Sequence, residues 1–231
     1  MEGDYFKLTP LSGREAWYLP AYVTEEEHLH DVLSVGAAYS GAMGETFRQT
    51  IHLLMGVLGA AVILRLDDRG AFIFVSAVLV VQFLACDAIT RGYDVPVLSR
   101  VMDESERNEK MPLKGGIAYA VGALFCLAVF SREYAAVGLV TVGVLGSVST
   151  LVGIRFGKHT VRGKKSLEGT VAGIIAAALA LSLLIPWWAA AVVAAVGGII
   201  EAGFPLDDNV AVQVGVCVVL AGMGVGVGFV W

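Results

Sequence analysis

Ionisable side chains are concentrated in five short polar stretches that interrupt long apolar runs of this chain. Their residue types suit phosphoryl transfer, which needs cations for phosphates, carboxylates for a divalent metal and a group that takes a proton. Charges at a membrane boundary are costly and mark functional sites by default. The five stretches are residues 45–52, Asp87 with Arg91, the basic loop 155–165, residues 165–169, and Glu201 with residues 207–209.

The first stretch places Glu45, Arg48 and His52 at positions i, i+3 and i+7, which share one face of a helix. An interfacial cap would explain Arg48, which extends to the headgroups and pairs with Glu45. It does not explain His52, which lies a turn deeper, where ionisable groups usually face an interior or a cavity. Asp87 and Arg91 form an i, i+4 pair that fits either a site or a simple helix-end salt bridge.

The basic loop leads directly into Ser166, a good N-cap residue, and Glu168 follows in the first turn of the next predicted helix. Such a loop can serve membrane topology alone. Free N–H groups at a helix N-terminus beside lysines also form an anion site, and nucleotide phosphates are the candidate ligand. The cations of this loop are Arg155, Lys158, Arg162, Lys164 and Lys165.

The last stretch combines three carboxylates with an amide at the ends of two predicted helices: Glu201, Asp207, Asp208 and Asn209. Hard oxygen ligands of this kind suit Mg²⁺, which usually takes one or two carboxylates together with substrate phosphates. A solvated turn is the alternative, because Asp and Asn are good turn residues.

The elements that must position these residues are membrane helices. The chain has 231 residues, of which 57% are hydrophobic and 16% charged, whereas soluble domains carry about 25% charge. The apolar runs reach spanning length, so we predict an all-α, polytopic transmembrane bundle. Its seven spans lie at roughly 50–65, 71–90, 115–131, 135–154, 167–186, 187–202 and 209–231. Residues 1–44 are polar and do not resemble a cleavable signal peptide; we interpret them as a cytoplasmic arm before a membrane domain at 45–231.

The distribution of cations predicts the orientation. Loops 91–114 and 155–166 hold five Lys and Arg residues each, whereas the loops on the other side hold only Arg65, Arg69 and Arg132. The positive-inside rule then puts the N-terminus in the cytoplasm. With seven spans, all five polar stretches fall on that cytoplasmic face.

These stretches resemble, in order, the motifs of the CTP-dependent lipid kinases: dolichol kinase, phytol kinase and the fungal diacylglycerol kinase. Residues 45–52 match E-x-x-R-K/Q-x-x-H, residues 153–157 match G-x-x-F-G, and residues 165–170 match K-S-L-E-G-S/T, the most specific motif. Glu201 with residues 207–209 matches a late E…D-D/N-N element. The resemblance covers roughly residues 45–215. One position departs from it, because Gly146 stands where family members usually carry Asp.

The resemblance implies an integral membrane enzyme that phosphorylates a lipid alcohol, such as a polyprenol, dolichol or phytol, from CTP at the cytoplasmic membrane face. His52, or alternatively Glu45, would orient or deprotonate the lipid hydroxyl, and Arg48 would stabilise the transferred phosphoryl group. The implied CTP-binding residues are Arg162, Lys164, Lys165, Ser166, Glu168 and Gly169. The implied Mg²⁺ ligands are Glu201, Asp207, Asp208 and Asn209.

Two other functions stay open from the sequence. A CTP-dependent cytidylyltransferase would make a CDP-lipid from a lipid phosphate and release pyrophosphate. A non-enzymatic transporter would carry charges through the membrane midplane, and an inactive relative would keep the fold alone. We expect a lipid alcohol, a nucleotide and membrane lipids as partners and no nucleic acid, and we leave the oligomeric state open.

Overall fold

The computed structural model describes residues 5–7, 18–20, 25–93, 112–162, 165–204 and 207–228, and side chains within 44–93, 112–161, 165–204 and 207–228. In these ranges lie seven helices: α1 Glu25–Arg65, α2 Asp68–Thr90, α3 Lys114–Val129, α4 Arg132–Phe156, α5 Leu167–Leu181, α6 Trp187–Gly203 and α7 Asp208–Met223. Four short strands accompany them: β1 Tyr5–Lys7, β2 Tyr18–Pro20, β3 Thr160–Arg162 and β4 Lys165–Ser166. The all-helical class is as predicted.

The chain divides into two compact units, residues 1–43 and 44–231. The first unit contains the antiparallel pair β1–β2, in which Tyr5 lies opposite Pro20, and the first part of α1. The second unit contains the rest of α1, the other helices and the antiparallel pair β3–β4.

Polar caps explain where several helices of the second unit begin. The side chains of Asp67, Ser131 and Ser166 accept hydrogen bonds from backbone N–H groups in the first turns of α2, α4 and α5. Each cap satisfies a donor that has no partner inside the helix. Apolar runs bounded by such residues therefore start helices close to the predicted positions.

Three helix ends differ from the predicted spans. α1 begins at Glu25, well before position 50, because its first half is helical without being apolar. α5 ends at Leu181, ahead of Pro186 and of the predicted end at residue 186. α7 was predicted to reach residue 231 and ends at Met223, where Gly224 takes a left-handed conformation with φ of 60°.

Three segments are long and apolar enough to cross a membrane: Gly44–Arg65, Asp68–Thr90 and Arg132–Phe156. The four other apolar helices of the described chain have 15 to 17 residues. Each predicted span overlaps one helix, and three of the seven reach spanning length. The architecture is that expected of a membrane protein.

α4 is the central helix of the second unit. It packs against α3, α5, α6 and α7. In the most apolar 18-residue stretch of α4, 61% of the residues are buried, compared with 11% in that of α2. On α2, Ile73 and Leu84 expose about two thirds of their surface. Apolar side chains exposed along a whole helix suit contact with lipid.

Glycines bring α5 very close to α4. A Cβ atom on Gly169 would lie 2.3 Å from the carbonyl oxygen of Ser149, and one on Gly173 would lie 2.8 Å from that of Leu145. Small residues permit this close backbone approach, which is typical of helix packing in membranes. The crossing sets the first turn of α5 beside the last turns of α4.

Candidate functional site

Three predicted site residues from three different elements meet at one end of the bundle. Lys165 lies on β4, Glu201 near the end of α6 and Asp208 at the start of α7. The Lys165 ammonium lies 2.6 Å from Asp208 Oδ2 and 3.8 Å from Glu201 Oε1, and it also donates to the backbone carbonyl of Glu201. Two carboxylates therefore share one ammonium group.

Glu201 is the most deeply buried acid of this cluster, with 8% of its side chain exposed. Its Oε1 accepts a hydrogen bond of 2.8 Å from the hydroxyl of Ser149 on α4. Its Oε2 is buried and has no hydrogen-bond partner among the described residues. A buried carboxylate oxygen without a donor costs free energy, so this atom is a natural point for a ligand to bind.

Asp207 and Asn209 serve the start of α7. Asp207 Oδ1 accepts a hydrogen bond from the backbone N–H of Asn209, which is the N-cap interaction. The Asn209 amide donates to the carbonyl of Gly115 on α3 at 3.3 Å. Both side chains make helix-end contacts, and Asp208 is the acid of this turn that contacts Lys165.

The start of α5 is capped by the protein itself. Ser166 Oγ accepts from the N–H of Gly169 at 3.1 Å, and the N–H of Leu167 donates to the carbonyl of His159 at 2.8 Å. We predicted that such N–H groups would meet phosphates. Here these two donors already have acceptors. The Lys165 ammonium is therefore better placed than these N–H groups to meet a phosphate.

Glu168 ties the loop between α4 and β3 to the start of α5. It accepts from the backbone N–H groups of Lys158 and His159 at 3.1 and 3.3 Å, and its Oε1 lies 2.6 Å from His159 Nδ1. Gly169, the next predicted nucleotide-binding residue, is buried against α4.

An open cavity of about 480 Å³ lies beside this loop. Its walls combine two cations, an aromatic ring and one carboxylate, from Arg155, Phe156, Gly157, Lys158 and Glu168. Cations beside an exposed aromatic side chain suit a ligand with phosphates and a flat ring. The backbone of Arg162 lies in β3, whereas its side chain and the whole of Lys164 lie outside the described residues.

Arg48 and His52 of the first stretch have different partners. Arg48 pairs with Glu45, which also accepts from the Gln49 amide at 2.8 Å. His52 instead packs edge-on against the ring of Tyr119 on α3, with ring centroids 5.0 Å apart. The interfacial-cap interpretation expects this pairing of Arg48, and His52 is partly buried beside Tyr119.

His52 lies beside the position at which the sequence departs from the resembled family. A Cβ atom on Gly146 would lie 3.2 Å from His52 Nε2. Ser149, one turn further along α4, contacts Glu201. α4 thus connects the histidine with the Lys165 cluster. Asp87 and Arg91 form an exposed pair 2.8 Å apart at the end of α2.

The acidic residues fit a magnesium ion that also binds phosphate. Glu201 and Asp208 face the same ammonium, and Glu201 Oε2 is unsatisfied. Across the described part of the chain, no group of three or more His, Cys, Asp or Glu side chains is arranged to hold a metal. Mg²⁺ usually takes one or two carboxylates and completes its shell with phosphate and water. This pair therefore suits a metal that arrives with a nucleotide.

Two side chains of this site were not predicted from the sequence. Ser149 fixes Glu201, and His159 fixes Glu168. His159 lies within the basic loop, and Ser149 lies in the helix before it. Nearness to that loop is the sequence feature that could have indicated them. A hydroxyl inside an apolar helix usually bonds to its own backbone, so sequence alone does not single out Ser149.

Comparison with known proteins finds an archaeal relative. The chain is 33% identical over 141 residues to an uncharacterized protein of Methanocaldococcus jannaschii, and the alignment covers 60% of this chain and 72% of that protein. No family model and no solved structure matches the chain.

Proposed function

We propose that this chain, which belongs to the same family as the uncharacterized archaeal protein, is a CTP-dependent kinase of lipid alcohols. The observation that carries the proposal is the meeting of Lys165, Glu201 and Asp208 at one end of an apolar helical bundle. Phosphoryl transfer is catalysed mainly by positioning and by charge neutralisation. An apolar bundle gives a lipid tail access to such a site.

The proposed topology has seven membrane crossings, with the N-terminus and the polar cluster on the cytoplasmic side. It is supported by the excess of Lys and Arg in loops 91–114 and 155–166. The cluster also draws on the end of α6 and the starts of α5 and α7, which lie on one side if successive helices cross in opposite directions.

The nucleotide would bind along the basic loop. Arg155 and Lys158 line the cavity beside Phe156, and Lys165 lies at the adjoining turn. The predicted cations Arg162 and Lys164 lie within the same loop. Cations along one loop can hold a chain of phosphates, as lysines do in other nucleotide sites.

The acceptor would be a lipid hydroxyl. Its oxygen attacks the γ-phosphorus of CTP, the bond from that phosphorus to the β–γ bridging oxygen breaks, and CDP leaves. The hydroxyl proton passes to His52, for which Glu45 is the alternative, and Arg48 stabilises the transferred group. Glu201 and Asp208 would hold Mg²⁺, with Asp207 and Asn209 at the same turn; the metal supplies neutralisation of phosphate charge.

The test is transfer of label from γ-labelled CTP, with ATP in parallel, to a panel of lipid alcohols in detergent with Mg²⁺. We expect label in the lipid from CTP. Pyrophosphate release with a lipid phosphate as acceptor would identify a cytidylyltransferase instead. No transfer to any alcohol and no pyrophosphate would contradict both enzymatic proposals.

The Asp208→Ala variant should lose label transfer, because Asp208 is one of the two carboxylates of the cluster. Asp68→Ala is the matched control. The Asp68 side chain is 86% exposed at the start of α2, and its Oδ1 lies 3.5 Å from Arg132 Nε. Full activity in Asp208→Ala would remove this residue from the metal site.

A further inference from the structure

The Lys165 ammonium lies where a metal ion would be expected. Three oxygens surround it: Asp208 Oδ2, Glu201 Oε1 and the carbonyl of Glu201. Two carboxylates and a backbone carbonyl are the hard ligands that Mg²⁺ and Ca²⁺ prefer in proteins. A lysine side chain therefore occupies a cation position built from metal-type ligands.

The arrangement offers more carboxylate oxygens than one ammonium contacts. Two carboxylates face one ammonium, and Glu201 is more than nine-tenths buried. Its Oε2 has no hydrogen-bond partner among the described residues. Lys165 therefore leaves one carboxylate oxygen of the cluster unsatisfied. A divalent cation could bind both carboxyl groups at once, as Mg²⁺ does in proteins.

A metal and the lysine cannot share the position, because like charges at a few ångströms repel strongly in a partly buried site. The Lys165 side chain is 32% exposed, and its flexible stem carries a charge that suits phosphate equally well. Phosphate groups bound in the cavity beside Arg155 and Lys158 would offer the ammonium another partner.

We propose that Lys165 occupies the cation position in the nucleotide-free protein, and that a divalent cation enters when a nucleotide phosphate draws the lysine away. This inference rests on the proposed function for the identity of the nucleotide. Binding of metal and binding of nucleotide are then coupled, and the coupling is reciprocal. The lysine prevents a metal from binding unproductively without the phosphoryl donor.

The test is direct titration of the full-length protein in detergent with Mn²⁺, followed by electron paramagnetic resonance, without any lipid acceptor. Wild type alone should bind Mn²⁺ weakly at this position. The Lys165→Met variant should bind it about tenfold more tightly or more, within the roughly 5–150-fold range usual for coupled sites. Addition of Asp208→Asn to that variant should abolish the gain, which assigns it to this cluster.

Lys158→Met is the control for charge. It removes the same charge from the same loop, but Lys158 contacts Glu168 through its backbone. Its affinity for Mn²⁺ should stay within about twofold of wild type, well below the smallest coupling expected. An equal gain in Lys158→Met and Lys165→Met would overturn the inference in favour of a general charge effect.

The effect of CTP on Mn²⁺ binding gives a second test. With Mn²⁺ binding by free CTP measured separately, CTP should tighten Mn²⁺ binding by wild type, and it should do so less in Lys165→Met. Tight Mn²⁺ binding by wild type without CTP would overturn the inference while leaving a kinase intact. Tighter binding by Lys165→Met without any CTP-dependent product would keep the inference and reject the proposed function.

Discussion

Replacement of Gly169 by alanine tests the close crossing of α4 and α5 directly. The added Cβ would lie 2.3 Å from the carbonyl oxygen of Ser149 and 3.0 Å from Gly153 Cα. Ordinary van der Waals contact begins at 3.4 Å. The two backbones must therefore separate by about 1 Å before the new carbon and the carbonyl oxygen reach a normal contact distance. Both neighbours are backbone atoms, which cannot rotate away.

The expected loss is substantial. Overpacking costs about 1–3 kcal/mol, and a clash with backbone falls at the upper end. Alanine recovers up to about 1 kcal/mol through its better helix propensity. The net loss is about 2 kcal/mol, which lowers the melting temperature by about 4–8 °C for a unit of this size. Thermal unfolding in detergent, followed by circular dichroism, measures this shift.

Gly222→Ala is the matched control in α7. A Cβ at that position meets nothing within 4 Å, so the same substitution should leave the melting temperature unchanged or raise it slightly. A Gly169→Ala variant that melts at or above the wild-type temperature would refute the close crossing, and with it the placement of Ser166 beside α4.

Two further predictions concern the neighbours of the cluster. Ser149→Ala should lower stability by about 1–3 kcal/mol, because it leaves a second oxygen of the buried Glu201 without a donor; an unchanged melting temperature would show that the hydroxyl does not hold Glu201. Glu168→Ala should accelerate hydrogen exchange at the amides of Lys158 and His159, which lose their acceptor, while the amide of Gly169 keeps its Ser166 partner. Unchanged exchange at both loop amides would contradict the tie between this loop and α5.

Much of the helix order could be predicted because hydropathy and capping residues act locally. Ser131 and Ser166 precede apolar runs, and α4 and α5 begin directly after them. The early start of α1 could not be predicted in this way, since a helix that is not apolar has no hydropathy signal. The early end of α7 depends on the conformation of Gly224, which many glycines in that run could equally have adopted.

The cluster itself required tertiary structure. The sequence indicates that Lys165, Glu201 and Asp208 each lie near a helix end, but not that one ammonium contacts both carboxylates. That contact depends on the relative positions of α5, α6 and α7, which side-chain packing fixes. The same limit applies to Gly146 and His52: the sequence shows a departure and a histidine, and the structure shows that they are neighbours. The proposed metal and nucleotide roles stay predictions.

The short helices have a consequence for the surrounding lipid. α5, α6 and α7 contain 15, 17 and 16 residues, which corresponds to lengths of about 22–26 Å, whereas the hydrocarbon layer is about 30 Å thick. On the proposed topology, hydrophobic mismatch would draw the leaflets together around this half of the protein. A headgroup-level hydroxyl would then approach the polar end of the bundle without leaving its leaflet, and the protein would favour thinner bilayers.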